Sequence, residues 1–220
     1  MSDSSPRDGR LRRYWDRQAE SYDRQMAFAE RRFFADTRAW VCGQATGDVL
    51  EVAVGTGLNL THYSHDVRLT GVEWSPSMLA VARRRADETG RRVDLQQGDA
   101  RALGFTDGRF DTVVCTFSLC AIEDERKALA EMARVLRPGG LLLLADHVES
   151  SAWPVRGLQW LIDAFSVPMH GEHCRRRPFR NVLGMGFGIE RHDRFKLGII
   201  ERFTARKPDD SSRRGWRGLS

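Results

Sequence analysis

The chain has 220 residues, 41% of them hydrophobic, which is enough to build one α/β core. Its formal net charge of +5 comes mainly from arginine, and we interpret that excess as the mark of a GC-rich genome rather than a binding surface. No signal peptide or apolar run long enough to cross a membrane is found. The four cysteines form no C-x-x-C pair, which is typical of a reducing compartment. We therefore expect one cytoplasmic domain, either a monomer or a homodimer.

The most informative motif is a glycine-rich turn after the first predicted strand. The segment from Glu51 runs into Gly55-Thr56-Gly57 and is predicted to open a helix. Glycines let the backbone turn tightly and approach a ligand closely. The dinucleotide fingerprint needs a third small residue where this chain has Leu60, and no Gly-Lys-Ser/Thr of a P-loop follows. The turn thus favours an adenosine cofactor without phosphate, of which S-adenosylmethionine is the common one.

The second predicted strand, at 67–72, ends in residues suited to the rest of such a cofactor. Glu73 lies 16 residues beyond Gly57, near the spacing of the acid that binds ribose hydroxyls. Trp74 is placed to pack on adenine. Ser75 and Pro76 then predict the start of a helix, as N-cap and first helical residue.

A third station follows at residues 93–100, which read as a strand and then a turn. Asp99 is expected to accept from the adenine amino group, and Ala100 leaves room for the ring. The remaining core elements are a predicted strand at 110–116, a helix at about 124–136 that stops at Pro138-Gly139-Gly140, and an apolar strand at 141–145.

These motifs together resemble the class I S-adenosylmethionine-dependent methyltransferases. The residues that carry the resemblance are Glu51-x-x-x-Gly55-x-Gly57, Glu73-x-Ser75-x-x-Met78, Gly98-Asp99-Ala100, Phe110-Asp111-x-Val113 and Leu136-Arg137-Pro138-Gly139-Gly140. The resemblance covers about residues 10–207. Within that superfamily the sequence is similar to the ubiquinone/menaquinone methyltransferase branch. It looks closer still to phosphatidylethanolamine N-methyltransferases and alkyl-thiol methyltransferases.

The resemblance implies a doubly wound, Rossmann-like α/β fold. Its sheet has seven mostly parallel strands, the last antiparallel, with helices on both faces. Residues 1–9 and the basic tail 208–220 are expected to be disordered. Between them lie N-terminal lid helices at 10–41, predicted to number two, a cofactor-binding core at 48–148, a substrate-covering insertion at 149–185 and C-terminal strands at 186–207. The implied cofactor-binding residues are Tyr22, Glu51, Ala53, Gly55, Thr56, Gly57, Asn59, Leu60, Glu73, Trp74, Met78, Asp99, Ala100, Thr116, Phe117 and Leu119.

His147 is the candidate base, because it follows the fifth strand at the edge where ligands bind and histidine takes protons near neutral pH. Asp146 is placed to orient it. The alternative is a structural histidine bonded to backbone. Likewise, the aromatic residues of the lid, Tyr22 included, either close over the cofactor or only dock their helix.

The predicted substrate contacts are Tyr14, His170, His173 and Arg177. His170-x-x-His173-Cys174 lacks a partner motif for a metal, so we predict no metal site. The run that includes Arg177 either recognises an anionic group or is a solvated face. In the insertion, Val155, Leu158, Leu161, Ile162 and Phe165 recur at helical spacing and predict an amphipathic helix over Trp153–Phe165.

The sequence favours methyl transfer to a small, largely apolar acceptor, with a thiol or a lipid-like amine slightly preferred. The alternatives are C- or O-methylation of a quinol, phenol or other secondary metabolite and, more remotely, a nicotinamide-dependent oxidoreductase. Nucleic acid is not an expected partner, because no Asn-Pro-Pro-Tyr motif follows the fourth strand. The tail, with Trp216 among arginines, is either solvated or in weak peripheral contact with a membrane.

Overall fold

The computed structural model describes residues 6–34, 36–171 and 173–209. Its helices are α1 (Pro6–Gln18), α2 (Tyr22–Ala29) with a π-helical continuation at Glu30–Phe34, α3 (Thr37–Cys42), α4 (Pro76–Thr89), α5 (Glu125–Val135), α6 (Trp153–His170) and α7 (Pro178–Gly184). Its strands are β1 (Asp48–Val52), β2 (Arg68–Glu73), β3 (Asp94–Gln97), β4 (Phe110–Thr116), β5 (Leu136–His147), β6 (Gly188–Phe195) and β7 (Ile200–Arg206).

The seven strands form one sheet in the order β3-β2-β1-β4-β5-β7-β6. The pairs from β3 to β5 are parallel, and β7 runs antiparallel to both β5 and β6. This confirms the predicted mostly parallel sheet with an antiparallel last strand. Apolar clusters cover both faces, which explains why the central strands are nearly continuous apolar runs. The strand order reverses between β1 and β4, and folds of this type bind ligands at such a point.

The N-terminal region differs from its prediction. The first helix begins at Pro6, inside the nine residues expected to be disordered, because Leu11 and Asp8 on one of its sides are buried against the domain. Residues 10–41 contain three helices rather than two, since the chain turns again before α3. The part of the predicted disordered tail from residue 210 onward lies outside the described residues.

Two predicted helices of the core and insertion also need correction. The glycine turn opens only a 3₁₀ turn at Leu60–His62 instead of a full helix, and Tyr63 is already extended. The insertion helix α6 is present and runs on to His170. Its predicted apolar residues Leu158, Leu161, Ile162 and Phe165 are exposed, however, so they do not form a packed face. The sequence analysis did not identify α7.

Capping at α4 follows its prediction closely. The Ser75 hydroxyl accepts a hydrogen bond from the backbone N–H of Met78 at 3.1 Å, and Pro76 occupies the first turn. Gly90 ends the helix with φ of +64°, a conformation that glycine adopts without cost. This start places the first turn of α4 beside the carboxyl end of β2, where a ligand would bind.

Candidate functional site

A cavity opens where β1, β2 and β4 end, and α1 and α2 cover one side of it. The predicted cofactor residues that line it are Tyr22, Ala53, Gly55, Glu73, Trp74, Met78, Asp99, Ala100 and Phe117. They come from six separate parts of the chain, so the fold gathers the stations that the sequence analysis treated one by one. The cavity lies at the reversal of strand order, as expected for this class of sheet.

The loop after β1 combines conformational freedom with close packing. Gly55 has φ of +59°, and a Cβ built there meets nothing within 4 Å, so the bare backbone faces open space. A Cβ at Gly57 would lie 2.9 Å from a methyl carbon of Leu60. Gly55 therefore leaves room for a ligand, whereas Gly57 lets the loop pack on the protein.

Two non-glycine residues of the cavity wall have left-handed backbone conformations. Ala53 has φ of +57° at the end of β1, and Phe117 has φ of +52° at the end of β4. Such conformations cost about 1 kcal/mol or more and persist where surrounding structure enforces them. Here Phe117 is held by stacking on Phe34, with ring centroids 3.9 Å apart.

Glu73 organises the floor of the cavity. Its carboxylate accepts hydrogen bonds from the backbone N–H of Gly55 at 2.9 Å and of Ser75 at 2.8 Å. Burial raises the pKa of Glu73, and these two backbone donors oppose that shift. A carboxylate has about four acceptor positions, so Glu73 can fix the glycine loop and still accept from two ribose hydroxyls.

The charges that line the cavity favour a cation. Four acids line the cavity, namely Asp8, Glu73, Asp99 and Glu123, against one base, Arg101. Arg101 lies 3.1 Å from Asp8, 2.8 Å from Asp99 and 3.0 Å from Glu123, so its charge is already compensated. Asp99 therefore contacts Arg101 as well as the cavity. This lining fits a positively charged adenosine cofactor, because its one described cationic group, Arg101, is already paired with acids and is not available for a dinucleotide phosphate.

Several predicted cofactor residues lie behind the loop and do not line the cavity among the described residues. Asn59 donates to Glu51 at 2.9 Å and to the Thr116 hydroxyl at 2.9 Å, and accepts from Arg38 at 2.9 Å. Burial raises the pKa of Glu51 to about 7. The remaining predicted members of this buried layer are Thr56, Gly57, Leu60 and Leu119. These four residues are buried and pack on the protein, so they support the loop instead of lining the cavity.

Acidic side chains bond the helix α1 to the start of α4 and the helix α2 to the glycine loop. Asp16 of α1 accepts from the Ser75 hydroxyl at 2.6 Å, and Asp23 of α2 accepts from the Thr56 hydroxyl at 2.6 Å. Trp15 and Tyr22 line the cavity and contact each other edge to face, with centroids 6.3 Å apart. Tyr22, a predicted cofactor residue, lines the cavity, whereas Tyr14, a predicted substrate contact, packs on Trp15.

His147 and Asp146 lie beside the cavity rather than in its wall. Asp146 is buried and accepts from the backbone N–H of His147 at 2.8 Å and of Cys120 at 3.2 Å. His147 Nδ1 is 3.4 Å from an Asp146 oxygen. Burial raises the pKa of Asp146, and the His147 charge opposes the shift. The arrangement can orient the His147 ring. The hydrogen bond from Cys120 joins it to the 117–123 segment, which forms one wall of the cavity.

Ligand atoms of Cys120, Asp146 and His147 all lie within 4.8 Å of one another. These residue types bind zinc in proteins. Both Asp146 oxygens already accept backbone N–H groups, which favours an orienting role for this acid over metal ligation. The absence of a metal stays a prediction.

The predicted substrate residues are not gathered at one place. The backbone N–H of His173 donates to Cys120 O at 2.9 Å, which holds its loop against the cavity wall, and burial lowers the pKa of His173. Arg177 precedes α7 and does not line the cavity. Its neighbour Arg176 contacts the wall segment instead, donating to Glu123 O at 2.9 Å. The side chain of His170 lies outside the described residues.

Other functional residues were missed by sequence reasoning. Leu11, Ser118, Ala121 and Ile122 line the cavity, and Arg38 braces the loop from α3. Asp99 was predicted, but the other two acids near Arg101, Asp8 and Glu123, gave no signal because they come from α1 and from the segment before α5. Only the position of Ser118, directly after a predicted strand end, offered a clue.

Comparisons with known proteins identify methyltransferases as relatives of this chain. The family profile described as "Methyltransferase domain" matches residues 49–140. A phosphatidylethanolamine N-methyltransferase of Cereibacter sphaeroides is 41% identical over 121 residues, which cover 54% of this chain and 60% of the relative. The human thiol S-methyltransferase TMT1A is 30% identical over 173 residues, which cover 76% of this chain and 70% of the relative. The chain thus spans less than two thirds of the first of these relatives.

A solved structure shows the same fold. It is described as an S-adenosylmethionine-dependent methyltransferase, possible histamine N-methyltransferase, from Thermotoga maritima. It aligns with a TM-score of 0.67 at 20% identity, covering 88% of this chain and 98% of that structure. In the part of the chain that the structure describes, we find no helix both long and apolar enough to cross a membrane.

Proposed function

The chain belongs to the class I S-adenosylmethionine-dependent methyltransferases, and on this premise we propose that it transfers a methyl group from S-adenosylmethionine to a small, largely apolar acceptor. The observation that carries the proposal is the cavity at the carboxyl ends of β1 and β2, where bare glycine backbone meets Glu73 and the lining acids outnumber the lining base. When bound, the cofactor supplies an electrophilic methyl group on a cationic sulfur.

The residues divide the work of binding between them. Glu73 accepts the ribose hydroxyls, while Trp74 and Ala100 border the adenine. The acids Asp99 and Glu123 stabilise positive charge in the cavity. Trp15 and Tyr22 cover the site and exclude water. Much of the rate of an in-line displacement comes from holding the acceptor at near-attack distance, which is the task of this enclosed wall.

We assign to His147 the role of the base that removes a proton from the methyl acceptor. A thiol or an ammonium acceptor must give up a proton before its sulfur or nitrogen lone pair can attack the methyl group, whereas a neutral tertiary amine attacks without losing a proton. His147 Nε2 takes that proton, while Nδ1 faces the buried Asp146 at 3.4 Å. Asp146 stabilises the charged ring without moving the proton further.

A thiol or a lipid-like amine is the preferred acceptor. Two observations support the preference. The names of the two relatives describe a lipid-amine and a thiol methyltransferase, and apolar residues such as Leu11, Ala121 and Ile122 line the cavity. C- or O-methylation of a quinol or phenol is the alternative, since the same base would convert the phenol to the reactive phenolate.

Cofactor binding is tested first by thermal unfolding with S-adenosylhomocysteine and, separately, with NADH. Ligand at about 100 times its Kd stabilises the folded state by about 2.7 kcal/mol, or about 5–10 °C for a domain of this size. We expect this shift with S-adenosylhomocysteine only. A shift with NADH alone would contradict the assignment.

The acceptor is identified by transfer of a labelled methyl group to thiols, amines, phenols, quinols and phospholipids. Glu73→Ala, with its ribose acceptors removed, serves as the inactive control. Label found in quinols but not in thiols or amines would replace the preferred acceptor and leave the methyltransferase assignment standing.

A further inference from the structure

The long helix α6 presents its large apolar side chains to solvent. Phe165 is 68% exposed and Trp153 is 77% exposed. We use the name α6 apolar face for the exposed set Trp153, Leu158, Trp160, Leu161, Ile162, Phe165 and Met169. Apolar patches of this kind, when they are contiguous, mark interaction sites.

The side of α6 that meets the protein is polar. Gln159 is 6% exposed. Its amide accepts from Ser150 N at 2.8 Å and donates to Val148 O at 2.9 Å. Asp163 accepts from Cys174 N at 2.7 Å. These bonds fix the orientation of the helix, so its amphipathic pattern is inverted relative to that of an ordinary surface helix.

The charges around the face are positive. The only acid in the α6 sequence is Asp163, which points to the protein, whereas Arg156 is exposed. The β6–β7 turn adds Lys196 and Leu197, both exposed and both in left-handed backbone conformation. The carbonyl of Leu197 accepts from the Ser151 hydroxyl at 2.9 Å, which places this turn at the start of α6.

We propose that the α6 apolar face docks the protein on an anionic lipid bilayer, with the helix lying in the plane of the interface. Exposed tryptophan, phenylalanine and leucine beside cationic side chains are the features of interfacial helices. Tryptophan in particular favours the boundary between water and acyl chains. The inference rests on α6 and does not depend on the acceptor.

Charge disfavours a second copy of the chain on the α6 apolar face, and position disfavours the C-terminal tail there. A second copy seated on the same face would bring Arg156 and Lys196 towards cations of like sign, whereas phosphate-bearing lipids neutralise them. The C-terminal tail starts far from the face. Asp209 lies beside Gly139 at the amino end of β5, while α6 follows the carboxyl end of that strand.

The test is co-sedimentation of the full-length protein with vesicles. We expect binding to equimolar phosphatidylcholine and phosphatidylglycerol, and weaker binding to phosphatidylcholine alone. Trp160→Gln/Phe165→Gln should lower vesicle affinity by about tenfold or more. A matched pair of single variants gives the sharper comparison, because Leu161 and Leu183 are both 52% exposed. Leu161→Gln should weaken binding several-fold, whereas Leu183→Gln on α7 should not.

Two controls keep the outcome unambiguous. S-adenosylhomocysteine affinity and circular dichroism of each variant report a retained fold. Sedimentation velocity without vesicles reports self-association. The proposal is overturned if the wild type does not bind anionic vesicles, if the α6 variants bind as well as the wild type, or if α6 variants dissociate a dimer instead. Loss of binding on Trp216→Gln, with α6 variants unaffected, would assign docking to the tail and also overturn it.

Discussion

At the scale of single residues, the buried acids define how the cavity is built. Glu73 lines the cavity and holds the loop, whereas Glu51 lies behind the loop and is bonded to Asn59. Both were grouped as cofactor residues in the sequence, because both are acids near the glycine turn. Their surroundings separate them, since only the side chain at the end of β2 reaches the cavity.

Glu51 predicts a specific pH dependence of stability. Burial raises its pKa from 4.5 to about 7, so the folded protein binds this proton more tightly than the unfolded chain does. The free energy of unfolding therefore falls as pH rises from about 4.5 to about 7 and is flat above. At about 1.4 kcal/mol per pKa unit, the loss is about 3 kcal/mol.

Urea unfolding at about pH 5 and about pH 8 measures this effect. Glu51→Gln keeps the size and the acceptor oxygen, so we expect it to reduce the stability difference between the two pH values. An equal pH dependence in the wild type and the variant would show that Glu51 does not titrate in this range.

His147 predicts a separation of turnover from cofactor binding. Because the base is removed, His147→Gln should lower turnover by about a hundredfold, the usual contribution of a general base. Because His147 lies outside the cavity wall, the affinity for S-adenosylhomocysteine should be unchanged. Steady-state kinetics and calorimetry measure the two quantities. His65→Gln is the control, because this exposed histidine precedes β2 at the opposite end of the strand. Full turnover in His147→Gln would assign the histidine a structural role.

At the scale of elements, α1 acts as a clamp that closes one side of the cavity. Its Asp8 lies 3.1 Å from Arg101, and its Asp16 accepts from Ser75 at the start of α4. The helix thus bridges two stations of the cavity through polar contacts, while Leu11 and Trp15 supply apolar cover.

Arg101→Met should loosen this clamp. The variant removes the ion pairs to Asp8, Asp99 and Glu123, so hydrogen exchange in α1 should become faster and S-adenosylhomocysteine affinity should fall about tenfold, the worth of one charged hydrogen bond. Arg134→Met is the matched control, since Arg134 bonds Glu131 and Asp107 away from the cavity. Equal effects of both substitutions on affinity would exclude a specific clamp.

At the scale of the whole molecule, the packing of both sheet faces hides most of the thiols. No disulfide links any two of the four cysteines, and Cys42, Cys115 and Cys120 are buried. Burial raises the pKa of Cys42 and Cys115 well above the usual range of a thiol. Only Cys174 is partly exposed, so reactivity should separate one thiol from three.

Thiol titration with Ellman's reagent tests this separation. We expect one thiol to react quickly in the native protein and the other three only as the protein unfolds, because the thiolate is the reactive form. Cys174→Ser should abolish the fast phase, and Cys115→Ser should leave it unchanged. Two or more fast thiols in the wild type would contradict the buried core described above.

The sequence by itself determined the sheet and the cofactor stations. These depend on local signals, namely apolar runs, the glycine turn and the caps at Ser75 and Pro76, which adjacent residues specify. The same signals identified Gly55, Glu73 and Ala100, because each lies at a predictable strand end.

Only the tertiary structure decided which side chains face the cavity and what surrounds it. Two of the acids around Arg101, Asp8 and Glu123, come from distant segments. The hydrogen-bond partners of Arg38 come from three separate segments, and the inverted face of α6 results from hydrogen bonds made by Gln159. Helical spacing reveals that a face is apolar, but not whether it points inward. That direction is set by long-range contacts, which no local pattern contains.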